Sequence, residues 1–293
     1  MRADSRNFLK GLGFISPWLL GFCFFTLIPI SLSLYYSFCN YSLVQKPVFI
    51  GLDNYRELLH DPVFWKANSN TLFYTVFSLP LGLLIALALA LLLNVKIRGQ
   101  AIYRTLIFLP SLIPAVASAM LWLWLFNSKL GLVNFLLRSL GMKDPPGWLT
   151  DAQWALPSLI IISFWSVGNT VVIFLAGLQD VPTELFEAAD LDGAGKFQTL
   201  RHVTLPSISP VIFFNLIIGI IAALQVFVLP FIMTQGGPAR ATYLYTEYMY
   251  DNAFVYLKMG YCSAMAWLQL LLVLALTGVA FWTSKHWVHY QGK

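Results

Sequence analysis

Few residues in this sequence could do chemistry. Of 293 residues, three are Cys (Cys23, Cys39, Cys262) and four are His (His60, His202, His286, His289). The cysteines lack metal-ligand or redox spacing. Two fall at predicted helix ends and one inside an apolar run, so they read as small apolar residues. His286 and His289 share a basic tail with no acid or Cys beside them, which leaves a metal ion short of ligands. Gly193-Ala194-Gly195-Lys196 lacks the leading Gly and following Ser or Thr of a phosphate-binding loop. No nucleophile–base pair or acidic dyad stands out. These residues point away from an enzyme, and any ATP hydrolysis has to come from another chain.

Other residues could bind rather than react. Ser163, Ser166 and Thr170 recur at i, i+3 and i+7, which makes one helical stripe, with Trp165 and Asn169 close by. Asn215 and Gln225 interrupt another apolar run. Hydroxyls and carboxamides beside aromatic faces suit a path for a polyhydroxylated solute. The alternative is structural. Ser and Thr then bond their own helix backbone, while Asn and Gln join helices.

The segment 180–206 is different again, acidic at its start and basic at its end. Pro182, Thr183 and Glu184 suit a helix start, where a carboxylate meets the positive end of the dipole. Gly193 and Gly195 suit its end, because glycine adopts the left-handed conformation cheaply. A second short helix from Lys196 towards His202 then leads through Leu205-Pro206 into an apolar run. The expected result is a short helix–turn–helix with small residues on one side. An amphipathic helix lying on a membrane is the other reading, but large residues do not build a broad apolar face here.

These groups must be positioned by elements that do not belong in water. The sequence is 58% hydrophobic and 11% charged, with mean hydropathy +0.72. A soluble domain carries roughly 25% charged residues to cover its core. A net charge of +5 could suggest nucleic acid. In so apolar a chain it fits basic residues at the cytoplasmic membrane face instead, with no nucleic-acid partner. A membrane helix needs about 20 mainly apolar residues. Six stretches qualify, approximately 13–38, 70–94, 104–127, 154–178, 207–234 and 262–283, and apart from Arg104 at a boundary they exclude every Lys, Arg, Asp and Glu. Each charge at a helix centre would cost about 2.5–3.5 kcal/mol. The expected fold is therefore an all-α polytopic membrane protein, with Pro17, Pro29, Pro80, Pro110, Pro114 and Pro230 kinking its spans.

Arg2, Arg6 and Lys10 before the first apolar run could suggest a signal peptide. The run is too long, however, and no small-x-small site follows, so it reads as a retained first helix. With the amino terminus inside, ten Lys and Arg fall on the cytoplasmic side and eight outside. The inside segments are shorter in total, and Lys96, Arg98 and Arg104 concentrate around one tight loop. Both termini are expected in the cytoplasm.

Glu187-Ala188-Ala189-x3-Gly193-x9-Val203-x-Leu205-Pro206 resembles the EAA loop of permease subunits in binding-protein-dependent ABC importers, with Val203 where isoleucine is commoner. Asn94 to Gly99 followed by Arg104 and Leu109-Pro110 is similar to the carbohydrate-type permeases, the group of maltose and glycerol-phosphate importers. Trp124-Leu125-Phe126, Gly131, Asn134, Gly236-Gly237-Pro238, Asp251 to Phe254 and Gly260-Tyr261 continue the likeness in order.

The resemblance implies a type I ABC importer permease fold in its compact six-helix form, with residues 1–293 as one transmembrane permease domain in a bacterial inner membrane. It implies that loop 180–206 is a coupling helix docking in an ATPase cleft. Glu187 would fix it there, Ala188 and Ala189 would allow close packing, Gly193 would make the turn, and Leu205-Pro206 would lead into the next span. It further implies a second, related permease (a heterodimer), two copies of a cytoplasmic ABC ATPase holding ATP and Mg, and an extracytoplasmic sugar-binding protein. No cofactor is expected in this chain. Ser163, Thr170 and Gln225 match sugar-contacting positions of maltose-type permeases, with Trp165 near them. An ABC permease for another solute, a stand-alone ion-coupled transporter or channel, and a membrane enzyme are the competing expectations. The apolar spans disfavour the second, since such proteins place ionisable groups in their spans.

Overall fold

The computed structural model describes residues 2–95 and 98–289, and helices dominate it. In chain order, the helices used below are α1 (Gly11–Ser37), α2 (Pro62–Asn94), α3 (Gln100–Leu112) and α4 (Ala115–Leu125). They continue with α5 (Leu132–Ser139), α6 (Ala155–Ser166), α7 (Gly168–Gln179) and α8 (Thr183–Leu191). The last are α9 (Ser209–Leu224), α10 (Val228–Met233) and α11 (Met259–Trp287). Four helical runs are long and apolar enough to cross a membrane: α1, α2, α9 with α10, and α11. The expected spans at 104–127 and 154–178 are each a bent pair instead, α3/α4 at 97° and α6/α7 at 48°. Counted as one span each, the pairs bring the total to six.

Local chemistry explains the sharper bend. Pro114 pushes the residue before it out of the helical region, and Ile113 is extended at φ −74°, ψ 129°. Pro110 already tightens Leu109–Leu112 into a 3-10 turn. No proline stands at the second bend. There, Phe164–Ser166 forms a 3-10 turn, Val167 departs from helical geometry with ψ 0°, and Gly168 follows. A Cβ on Gly168 would lie 2.9 Å from the Ile107 carbonyl oxygen, so the break lets α7 approach the end of α3 closely.

The chain divides into two compact units, the first comprising Met1–Asp61 and Met249–Leu271. None of the apolar stretch of α1 is buried, which lipid tolerates and water does not. One widened turn, Cys23–Leu27, precedes Pro29, whose missing N–H cannot close the regular ladder. Beyond α1, Cys39–Asn40 pairs antiparallel with Val48–Phe49. The buried Asn54 carboxamide donates to the Ser37 and Cys39 carbonyls at 2.9 Å each. At the start of α11, Gly260 donates its N–H to the Tyr41 carbonyl at 3.0 Å, and a Cβ there would collide with the Cys39 carbonyl oxygen. Tyr261 donates to Asp61 at 2.8 Å.

The second unit comprises Pro62–Tyr248 and Leu272–Lys293. Here α2 packs on α6, α7 and α9. Ala86 and Ala90, one turn apart on α2, bring backbones together against Val171, Phe174 and Ile208. A second cluster joins Tyr74 to Ala119, Phe126, Leu159 and Ile162. A third joins Phe213, Ile220 and Leu224 to Ala280 of α11. The Gly236-Gly237-Pro238 segment, with a cis bond between Gly237 and Pro238, is tied to α2 from 170 residues away. Asn70 donates to the carbonyls of Arg240 (2.8 Å) and Tyr243 (3.1 Å), and Thr71 Oγ1 accepts the Tyr245 N–H at 2.8 Å.

Candidate functional site

Two sites are built by the second unit. The first is the loop after α7. Pro182 is extended (φ −57°, ψ 133°) and starts α8, with Glu184 in the first turn. Gly193 ends it at φ +71°. The Gly193 N–H donates to the Asp190 carbonyl (3.1 Å) and the Ala194 N–H to the Ala189 carbonyl (2.9 Å). This bond pair is the Schellman arrangement, which satisfies carbonyls that the helix end would leave bare. Gly195 starts the next helix, its N–H donating to Gln198 Oε1 at 2.8 Å. That helix, Lys196–Thr199, continues through a widened turn, Leu200–Thr204, into Leu205–Ser207.

The loop has two sides. Inward, Val181, Phe186 and Leu205 pack against Leu178, Ile208 and the Leu93 end of α2, and Ala189 is buried. Outward stand Glu187 and Ala188. The adjacent alanines thus divide: Ala189 packs within the chain and Ala188 faces out. Pro206 is half-buried and its carbonyl accepts from Ser209 Oγ at 2.7 Å. Leu191 is 90% exposed and Phe197 72% exposed, flanking the Gly193 turn. Neither was singled out from the sequence, although two large apolar residues among charged and small ones were visible there.

The second site is a cavity of about 270 Å³ between α2, the α6/α7 bend and α9. Its polar lining is Tyr74, Ser78, Ser163, Ser166, Thr170 and Asn215. The bend exposes the stripe on α6 and α7 to this space. Ser163 Oγ donates to the Ile160 carbonyl (2.6 Å) and Ser166 Oγ to the Ser163 carbonyl (3.2 Å). Their protons are therefore used within the helix and lone pairs remain for the cavity. Tyr74 and Ser78 of α2 line the same cavity as Ser163. The Asn215 carboxamide donates to the Val211 carbonyl at 2.9 Å.

Two residues expected beside Ser163 and Thr170 are off this wall. Trp165 packs edge-on against Trp122, ring centroids 5.5 Å apart. Gln225 is exposed where α9 ends, one residue before Val226, which does line the cavity. Tyr74 and Ser78 were missed. Asn70, Thr71, Tyr74, Thr75 and Ser78 are all buried and form one polar stripe along α2, a period readable from the sequence.

Residues 78–287 match the family described as the binding-protein-dependent transport system inner membrane component, and the chain belongs to that family of ABC transporter permeases. It is 42% identical to the probable ABC transporter permease protein YesP of Bacillus subtilis, over 100% of this chain and 96% of that one. It is 34% identical to the lactose transport system permease protein LacF of Rhizobium radiobacter, covering 97% and 99%. Its fold matches a bacterial ABC transporter involved in import of the acidic polysaccharide alginate, with TM-score 0.85, 25% identity and 97% of each chain covered. The match extends to that transporter in complex with an alginate pentasaccharide-bound periplasmic protein. The chain is thus a multi-pass membrane transport component with the type I importer permease fold.

Proposed function

We propose that this chain conducts a sugar or oligosaccharide as one of two related permeases in an ATP-driven importer, all of residues 1–293 acting as one permease domain of six spans. Loop 180–206 faces the cytoplasm, as do both termini, and docks on an ABC ATPase that supplies ATP and Mg chemistry. A separate extracytoplasmic protein delivers the sugar. The observation that carries this reading is the outward side of the loop, where Leu191 and Phe197 flank the Gly193 turn beside Glu187. Apolar side chains that exposed on a polar loop mark a surface for another protein. The hydroxyl-lined cavity supports a polyhydroxylated solute, and the lactose and alginate systems among similar proteins support a sugar.

In the mechanism, ATP-driven closure of the ATPase pair moves α8, which is seated on α2 and α7 through Phe186. The spans then rock so that the cavity opens first to one side and then to the other. The test is recovery of the tagged chain from native membranes in mild detergent, with partners identified by mass spectrometry. An ATPase and a second permease in the eluate support the reading. Recovery of the chain alone, under conditions that keep a control importer intact, refutes it.

A further inference from the structure

We propose that α5 is an interfacial anchor, held with its apolar side in the lipid of the outer membrane face and its basic flanks on anionic headgroups. At eight residues it is too short to span a bilayer. On its inner side Val133 packs against the core cluster around Phe126. The side turned into the protein carries a carboxamide: Asn134, 1% exposed, donates to the carbonyls of Ser128 (3.0 Å) and Pro146 (3.2 Å). Asn134 Oδ1 also accepts the Trp148 indole N–H at 2.6 Å.

The side turned outward carries large apolar residues alongside the exposed Arg138 and Ser139. Leu132, Phe135, Leu136 and Leu140 recur at i, i+3, i+4 and i+8 and are all exposed, Phe135 by 65% and Leu140 by 84%. Leu130, just before the helix, is 83% exposed. Water would penalise such a face, whereas the acyl boundary of a membrane covers it.

Geometry holds this face at the right depth. Only six residues separate the end of α4 from the start of α5. The turn between them is rigid. Gly131 donates to the Asn127 carbonyl at 2.9 Å, and Asn127 Oδ1 accepts the N–H groups of Lys129 and Leu130 at 3.0 Å each. A Cβ on Gly131 would lie 2.5 Å from the Leu125 carbonyl oxygen, so the chain turns against the end of the span itself. The α6/α7 crossing separates α5 from loop 180–206, which puts the two on opposite membrane faces. Charge complements the assignment: Lys129, Arg138 and Lys143 surround the helix, with Asp144 the single acid between residues 127 and 147. Basic residues beside an apolar face favour anionic lipid over a neutral surface.

The test places the photo-cross-linking residue p-benzoylphenylalanine at position 135, and separately at position 140, in the complete complex in its native membrane. Mass spectrometry then identifies the adducts. The expected result is phospholipid adducts at both positions. In the background Lys129→Gln with Lys143→Gln, the anionic share of those adducts should fall by about twofold or more. Arg138 is left in place because its guanidinium bonds the Ser128 and Lys129 carbonyls. Adducts to a second permease or to a periplasmic protein overturn the proposal and make α5 a protein interface. Absence of adducts above an unirradiated control also overturns it. An anionic share that ignores the charge changes would remove the headgroup part of the assignment.

Discussion

Replacement of Gly193 by Val isolates the turn that presents Leu191 and Phe197. Gly193 has φ +71°, and no heavy atom lies within 4 Å of where its Cβ would be. The substitution therefore meets no neighbour, and its whole cost is conformational. An L-residue in the left-handed region costs roughly 1–2 kcal/mol, and a β-branched one stands at the upper end. Since 1.4 kcal/mol is tenfold, the equilibrium between this turn and its alternatives should shift against it by about 5–30-fold. The bonds lost are those from Gly193 and Ala194 to the Asp190 and Ala189 carbonyls, local to the loop, so insertion and the packing of α2 on α7 should persist. Asn tolerates the left-handed region, which makes Gly193→Asn the control. The assay is sugar uptake and transport-stimulated ATP hydrolysis by the complete complex in proteoliposomes. Gly193→Val should lower both, by up to about tenfold, while Gly193→Asn stays near the parent. Full uptake by the Val variant would refute the reasoning. Equal loss in the Asn and Val variants would show that the requirement at 193 is not conformational.

Leu191→Glu combined with Phe197→Ser should abolish co-purification of the ATPase. Both side chains are exposed in the isolated chain, so the thermal midpoint of the permease alone should stay within about 2 °C. Asn70→Ala removes two hydrogen bonds to the Arg240 and Tyr243 carbonyls. A cost of about 1–3 kcal/mol is expected, read as a fall of several degrees in the unfolding midpoint of detergent-solubilised protein. Thr170→Trp should fill much of the 270 Å³ cavity and stop uptake, while the assembled complex elutes unchanged in size-exclusion chromatography. Normal uptake by that variant would place the sugar path elsewhere.

The membrane character of the chain was legible because it depends on local composition. Runs such as 207–234 hold no charge and are long enough to cross lipid, whatever they pack against. The turn at Gly193 was legible for a similar reason, since a left-handed residue is dictated by the chain within a few positions of it. Kinks were half legible. Pro110 and Pro114 foretold a bend in the third span, while Pro80 stands within the continuous α2. The break at 164–168 has no proline and accompanies the close approach of Gly168 to Ile107 and Phe108.

By itself, then, the sequence determined which segments must lie in lipid, where the polar loop between 180 and 206 turns, and which family the chain resembles. All of these are properties of neighbouring residues and their solvation. Only the tertiary structure decided which polar side chains share a space. Ser163 and Thr170 face a cavity whose other wall, Tyr74 and Ser78, comes from a different helix, whereas Trp165, on the same turn, packs on Trp122. Asn70 finds its acceptors in residues 240 and 243, and Ala188 parts from Ala189 because one is exposed and the other buried. Side-chain direction depends on helix rotation, and helix rotation is set by packing between segments far apart in the chain.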